Sequence, residues 1–209
     1  QENFDKYEEI FEKLSSRKDY EIGIIFEDAL TGVKNRRYFD EQLRTAWAML
    51  QRTNQPLSLL ILDVDDFKRY NDRYGHQQGD AALRAAAQVV TDVLRRAVDT
   101  VARYGGEEFA AILPGTSTED ARALAERVRA EVMALSLTHD TSKVANVVTV
   151  TIGVASAGAR SDMEAEELLR LADEALYTGK QSGKNIVVVA PESCAAETGI
   201  REDEASPGT

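Results

Sequence analysis

Acidic side chains occur at two places where a buried strand is expected to end or turn. The apolar run 57–64 leads into Asp63, Asp65 and Asp66, and the segment 105–109 reads Gly-Gly-Glu-Glu-Phe. Mg²⁺ prefers oxygen ligands and leaves positions for phosphate oxygens, and metals held by paired carboxylates promote phosphoryl transfer. The alternative is that these acids are ordinary surface residues at strand ends and turns.

Hydrophobic periodicity predicts the elements that position these acids. A helix is expected from near Asn35, and Gly105-Gly106 is expected to form a two-residue turn with positive φ angles. The strands are predicted at 57–64, 100–104, 107–113, 146–155 and 186–189, and the later helices at 79–96, 117–135 and 164–182.

The first six core elements have the β-α-β-β-α-β order of ferredoxin-like folds. The expected class is therefore α/β (α+β), with a mostly antiparallel central sheet flanked by helices, as in polymerase palm domains. The first strand and the hairpin strands are neighbours in such a sheet. We therefore expect the acids at 63–66 and 107–108 to converge.

Composition excludes several classes of protein. The chain has 209 residues, 43% hydrophobic and 29% charged, and a net charge of −11, which argues against nucleic-acid binding. No apolar run is long enough to cross a membrane, and no signal peptide is visible. A single cysteine excludes an internal disulfide and a cysteine zinc cluster. These features predict a cytoplasmic protein without membrane contact.

The two ends of the chain differ from the middle. Residues 1–27 have a helical pattern that predicts a coiled-coil-like signalling helix, and the alternative is an amphipathic helix packed on its own domain. A shift in the pattern resembles a stutter. Residues 191–209 carry five acids and one base, with almost no large apolar residues, so a disordered tail is expected. The apolar positions of the helix are Phe4, Tyr7, Phe11, Leu14, Ile22 and Ile25.

A series of short motifs runs in order through residues 28–189. They are Asp28-Ala29-Leu30-Thr31-Gly32, Asn35-Arg36-Arg37, Asp63-Val64-Asp65, Phe67-Lys68, Asn71, Gly75-His76, Gly79-Asp80, Arg103-Tyr104-Gly105-Gly106-Glu107-Glu108-Phe109, Val150-Thr151-Ile152-Gly153, Ala172-Asp173, Tyr177, Lys180, Gly183 and Asn185. Together they resemble the GGDEF-domain diguanylate cyclase family, and the resemblance assigns this domain to residues 28–190.

The resemblance implies a homodimeric enzyme that condenses two GTP molecules into cyclic di-GMP and releases pyrophosphate. It implies Mg²⁺ (or Mn²⁺) as cofactor, with Asp63, the carbonyl of Val64 and Glu107 as ligands. Glu108 is a candidate ligand of a second metal, or else a structural glutamate in a salt bridge. Glu107 and Lys68 are the expected catalytic residues, Lys68 because a cation near the phosphates offsets developing charge.

The resemblance also implies the substrate contacts. Asn71 and Asp80 would read guanine, because a carboxylate accepts from its N1–H and amino group, whereas adenine leaves that carboxylate unpaired. This argues against a different cyclic nucleotide product. The remaining contacts are Phe67, through nearby backbone amides, Lys180, Lys184 and His76. His76 has the alternative of a structural turn residue, and Lys184 stands where the family more often has arginine, whose forked donors it lacks.

Arg96 and Asp99 form an Arg-x-x-Asp motif upstream of the hairpin. This motif resembles the family's inhibitory product site, to which Arg127 would contribute, so cyclic di-GMP is expected as an allosteric inhibitor. The alternative is a salt bridge at a helix end. For the whole domain, the alternative is a silent module that binds GTP or cyclic di-GMP and signals through protein contacts. An upstream sensory domain outside this chain is the expected source of input.

Overall fold

The computed structural model describes residues 25–158 and 163–191. Six strands form one sheet in the order β1-β3-β4-β2-β5-β6. The four inner strands pair antiparallel, whereas β1 pairs with β3 and β6 pairs with β5 in parallel. The strands are β1 Lys34–Asn35, β2 Leu57–Val64, β3 Thr100–Arg103, β4 Glu108–Pro114, β5 Val150–Ala157 and β6 Val187–Val189.

The described residues also form helices that cover both faces of the sheet. They are α1 Arg36–Thr53, α2 Phe67–Tyr74, α3 His76–Val93, α4 Thr118–Ala134 and α5 Ala165–Gln181. Among the described residues, no helix has the length and hydrophobicity needed to cross a membrane.

Strand β2 is buried along its whole length and divides the core into two layers. Leu60 and Leu62 face the cluster that contains residues of α2, α3 and α4, whereas Leu59 and Ile61 face the cluster that contains α1 and α5. Because side chains alternate along a strand, Asp63 belongs to the α1/α5 side. This alternation brings its carboxylate to the helix that carries Lys180.

The predicted ferredoxin-like order is confirmed, since β2 lies between β4 and β5. Helix caps also agree with the sequence: the side chain of Asn35 accepts from the Tyr38 N–H, and Ser117 Oγ accepts from the Asp120 N–H at 3.2 Å. The strand predicted at 146–155 was placed too early and occupies Val150–Ala157. The Ala-rich helix extends from His76 to Val93 rather than over 79–96.

The prediction for the hairpin turn is wrong. The N–H of Tyr104 and that of Gly105 both donate to the carbonyl of Glu108, and four residues, 104–107, join the two strands. Neither Gly105 nor Gly106 has a φ in the left-handed region. A Cβ at Gly105 would lie 2.6 Å from Glu108 Oε2, which is the end of a flexible side chain and can move aside.

Most of the predicted N-terminal helix and acidic tail lie outside the described residues. Of the apolar positions proposed for the helix, only Ile25 is described, and its side chain is 46% exposed. Of the tail, only Pro191 is described. The domain boundaries at 1–27, 28–190 and 191–209 therefore stay predictions.

Candidate active site

The predicted acids meet where β2 and β4 come together. Asp63 pairs in register with Glu108 of β4 and with Thr151 of β5, and the N–H of Val64 donates to the carbonyl of Glu107 at 3.2 Å. Asp63 Oδ2 accepts from Lys180 Nζ at 2.9 Å. The end of a buried strand, the hairpin and the last helix thus contribute to one site.

Burial raises the pKa of the Asp63 carboxyl to about 6. Lys180 opposes this shift, because its ammonium group stabilises the charged carboxylate, whereas Glu107 and Glu108 add to it by repulsion. A raised acid pKa with specific charged neighbours is a common property of functional sites. The site therefore has more negative charge than its own lysine compensates.

This donor set suits a hard divalent cation. Carboxylate oxygens and a backbone carbonyl are the ligands that Mg²⁺ prefers, and a cation would relieve the repulsion among Asp63, Glu107 and Glu108. Within 25–158 and 163–191, no three His, Cys, Asp or Glu side chains are grouped so that they alone could hold a metal ion. The ligand positions that the resemblance implies, Asp63, the Val64 carbonyl and Glu107 with Glu108 for a second metal, stay predictions, and phosphate oxygens would be needed to complete the shell.

Asp65 was not predicted to have a role, and the structure shows a buried anchor. Its carboxylate accepts from Thr149 Oγ1 at 2.8 Å, from Thr151 Oγ1 at 2.6 Å and from the Asn185 N–H at 3.0 Å. Three charge-assisted hydrogen bonds compensate its removal from water. Thr149 lies directly before β5 and Thr151 lies in it, and this spacing of two was the sequence signal that could have identified the anchor.

Asp66 and Lys184 form a second ion pair beside the first. Lys184 Nζ contacts Asp66 Oδ1, and the Lys143 N–H donates to Asp66 Oδ2 at 2.9 Å. Burial alone would raise the pKa of Asp66, but these two partners outweigh it, and the pKa is lowered. The sequence predicted Lys184 as a phosphate contact but did not predict its partner.

Phe67, Lys68 and Asn71 lie on helix α2, which the sequence did not predict. Phe67 is buried against Tyr70, with the two rings stacked at 6.3 Å. Lys68 is exposed and lines a cavity of about 550 Å³ on the outer side of the helix. The lysine is therefore free to reach a ligand, whereas Phe67 fixes the first turn of the helix.

Asn71 lies against the next helix in a close contact. A Cβ added at Gly79 would lie 1.8 Å from Asn71 Oδ1, so α3 can approach the amide only because glycine is present. Asn71 Oδ1 is buried and makes no hydrogen bond in the structure. Asp80 is partly buried in the first part of α3, and His76 is exposed at its first residue.

The predicted inhibitory residues occupy a separate surface. Arg96 pairs with Asp99 at 2.6 Å, which is the helix-end salt bridge considered as the alternative, and it also donates to Thr116 Oγ1 at 2.6 Å. Arg96 and Arg127 line one cavity of about 390 Å³. Arg127 pairs with Glu131 at 2.7 Å. The two arginines therefore face a common space, as a shared ligand would require.

A further ion pair, not predicted as part of the site, supports the hairpin. Arg103 donates to both carboxylate oxygens of Asp28 and, through Nη2, to the carbonyl of Gly106 at 2.6 Å. Asp28 also accepts from the N–H and hydroxyl of Thr31. These bonds tie the hairpin to the turn that precedes β1.

Comparison with known proteins agrees with this site. The family described as "Diguanylate cyclase, GGDEF domain" matches residues 25–186. The chain therefore belongs to the GGDEF diguanylate cyclase family, which confirms the resemblance found in the sequence.

Individual relatives support the assignment. "Response regulator PleD" of Caulobacter vibrioides is 39% identical over 176 residues, which are 84% of this chain and 38% of PleD. The structure of the coiled coil and GGDEF domain of DgcB from Caulobacter crescentus, in complex with c-di-GMP, is 32% identical. It has a TM-score of 0.79 and matches 89% of this chain and 96% of that one.

The active GGEEF domain of a diguanylate cyclase from Vibrio cholerae is also similar. It is 33% identical, with a TM-score of 0.67, over 76% of this chain and 98% of that one. The chain spans only 38% of the length of PleD and 44% of that of diguanylate cyclase A from Treponema denticola. Similarity to these curated relatives is therefore similarity to their GGDEF portion.

Proposed function

We propose that this chain condenses two GTP molecules into cyclic di-GMP with release of pyrophosphate, in the presence of Mg²⁺ or Mn²⁺. The observation that carries the proposal is the convergence of Asp63, Glu107 and Glu108 at one end of the sheet, with Lys180 beside them. Family membership supports it, since the matched domain is described as a diguanylate cyclase.

A bound Mg²⁺ would polarise the triphosphate oxygens at Asp63 and Glu107. Glu107, or a group bound to the metal, accepts the proton of the 3′-hydroxyl of one GTP, and this oxygen attacks the α-phosphorus of the other. The bond from that phosphorus to the bridging oxygen breaks, and pyrophosphate leaves. Lys68 offsets the charge that develops on the phosphates. A second, equivalent step closes the ring.

Guanine selection belongs to helices α2 and α3 in this proposal. Asn71 and Asp80 contact the base, His76 lies at the entrance, and Lys180 and Lys184 contact the triphosphate. Two GTP molecules must face each other, so the active form is a homodimer with one GTP in each half-site. The unsatisfied Asn71 Oδ1 supports this role, because a buried acceptor without a partner is costly unless a ligand supplies one.

Product inhibition is part of the proposal. Arg96 and Arg127 border one cavity, and arginine recognises guanine edges and phosphates through paired donors. Asp99 forms a salt bridge with Arg96 and so fixes the position of the arginine. We also propose cytoplasmic activity and control by a sensory domain, which the name of the relative PleD, a response regulator, supports.

Product analysis by chromatography after incubation with GTP, ATP or both tests the activity. We expect cyclic di-GMP and pyrophosphate from GTP with Mg²⁺, and neither product when EDTA is added. Glu107→Gln removes a charged ligand at nearly constant size, so synthesis should fall to near zero while GTP binding is partly retained. Binding of GTP without any turnover by the parent protein would favour the silent binding module instead.

A further inference from the structure

The two lysines expected at the far end of the triphosphate are already paired with carboxylates. Lys180 contacts Asp63 and Lys184 contacts Asp66. Of the three lysines assigned to the phosphates, only Lys68 is exposed. The positive charge that attracts GTP is therefore smaller than the sequence suggests.

The two carboxylates differ in what happens to their charge. Asp63 is a proposed metal ligand, so a cation compensates it when substrate binds. Asp66 has no such role, and its side chain is only 9% exposed. Its negative charge stays in place next to Lys184 when the triphosphate arrives.

The position of the Asp66 carboxylate is fixed by the backbone. Asp66 has φ 54° and ψ 28°, in the left-handed region, and its Oδ2 accepts from the Lys143 N–H at 2.9 Å. Its carbonyl lies 3.3 Å from the Nε2 atom of the buried His139 ring. Two separate segments, the loop 139–143 and the loop that carries Lys184, hold this residue, so the carboxylate has little freedom to turn away from Lys184.

We infer that Asp66 is an affinity-determining residue: its fixed carboxylate retains Lys184 and opposes the triphosphate, and so weakens GTP binding. The inference rests on the proposed function, since it takes Lys184 as a phosphate contact. It concerns substrate affinity and not the chemical step. Removing the charge should therefore lower KM and the Kd for triphosphates, and leave kcat near the parent value.

Asp66→Asn is the appropriate substitution. Asparagine tolerates the left-handed conformation, and its amide oxygen can still accept from the Lys143 N–H. The probe is guanosine 5′-(α,β-methylene)triphosphate with Mg²⁺, compared with GMP, by calorimetry. We expect triphosphate binding to tighten about 2- to 5-fold, the range for an exposed charge pair, and GMP binding to stay unchanged.

Asp72→Asn is the matched control. Asp72 is an exposed acid on helix α2, which begins directly after Asp66, so the substitution makes the same change in net charge without touching Lys184. We expect it to change triphosphate binding much less than Asp66→Asn. If Asp66→Asn does not fold, as judged by circular dichroism, Asp66→Gly replaces it, because glycine also adopts the left-handed region.

The outcomes separate this inference from the proposed function. If the parent binds neither the analogue nor GTP, the proposed function fails. If the parent binds the analogue and Asp66→Asn binds it equally or more weakly, only the role of Asp66 is overturned. Weaker binding would show that Asp66 orients Lys184 toward the phosphates. Equal tightening by the Asp72 control would reduce the effect to net charge and also overturn the inference.

Discussion

Asp63→Asn should make the metal-free domain more stable while it abolishes synthesis. The pKa of Asp63 is about 6, against an ordinary value of 3.8. Each unit of pKa corresponds to about 1.36 kcal/mol, so the buried carboxylate destabilises the folded state by roughly 3 kcal/mol when ionised. Asparagine is nearly isosteric with aspartate and has no charge to desolvate. The gain in unfolding free energy on substitution therefore has an upper limit of roughly 3 kcal/mol.

The pH dependence follows from the direction of the shift. Above pH 6 the Asp63 carboxyl is ionised in both the folded and unfolded states, so the full destabilisation is present. As the pH falls through 6, the folded state takes up a proton while the unfolded state stays ionised. The cost therefore declines and vanishes below the unfolded pKa of 3.8. The advantage of Asp63→Asn should be largest near pH 8 and small near pH 4.

Urea denaturation in EDTA at several pH values measures the difference in unfolding free energy between Asp63→Asn and the parent. In thermal unfolding, a gain of 1 kcal/mol would raise Tm by about 2–4 °C for a domain of this size. Asp66→Asn is a control of opposite sign, because the pKa of Asp66 is lowered. Its ionised form stabilises the fold above the unfolded pKa, and this contribution is lost as the pH falls. Equal or lower stability of Asp63→Asn at pH 8, or an advantage that does not change with pH, would refute the reasoning.

Three further substitutions test other parts of the site. Gly79→Ala places a methyl group 1.8 Å from Asn71 Oδ1, so calorimetry should show weaker GTP binding, while circular dichroism shows a retained fold because alanine favours the helix. Asp80→Asn removes the charged acceptor proposed for guanine, and such hydrogen bonds are worth about 1.5–3 kcal/mol each. Competition between GTP and ATP should therefore show that the preference for GTP falls at least tenfold. An unchanged preference would contradict the proposed guanine contact. Arg96→Ala removes the donor to Thr116 and should raise the cyclic di-GMP concentration needed for half inhibition in a turnover assay. Identical inhibition curves for the parent and the variant would mean that Arg96 forms only an ion pair at a helix end.

The central sheet and its acids were predictable because they depend on local patterns. The apolar run of β2 and the Gly-Gly-Glu-Glu-Phe segment each identify a strand end, and the β-α-β-β-α-β order then places them side by side. The helix starts near Asn35 and Ser117 were predictable for the same reason, since a capping side chain acts within three residues. The prediction of a two-residue turn with positive φ angles failed because neither Gly105 nor Gly106 has a positive φ.

Helix α2 could not be predicted from its own residues. It has eight residues, of which only Phe67 and Tyr70 are buried, and it begins directly after a left-handed residue. Isolated helices of this length are not stable. Contacts from a distant loop hold it instead: Asp140 accepts from Arg73 and from the hydroxyl of Tyr74. The element that carries three of the proposed guanine and phosphate contacts therefore depends on tertiary structure.

The pairing of Lys180 and Lys184 with carboxylates could not be predicted from the sequence either, because it also depends on tertiary structure. Lys184 follows α5 in a loop with positive φ, and 118 positions separate it from Asp66. The family resemblance predicts Lys184 as a phosphate contact but cannot show that Asp66 pairs with it. Three lysines assigned to the phosphates suggest strong attraction for a triphosphate. Among the described residues, however, two of them are paired with carboxylates, and only Lys68 has no carboxylate partner. In the proposal, affinity for GTP depends on which acids the lysines meet in the fold, and Asp66 is the one that a metal ion would not compensate.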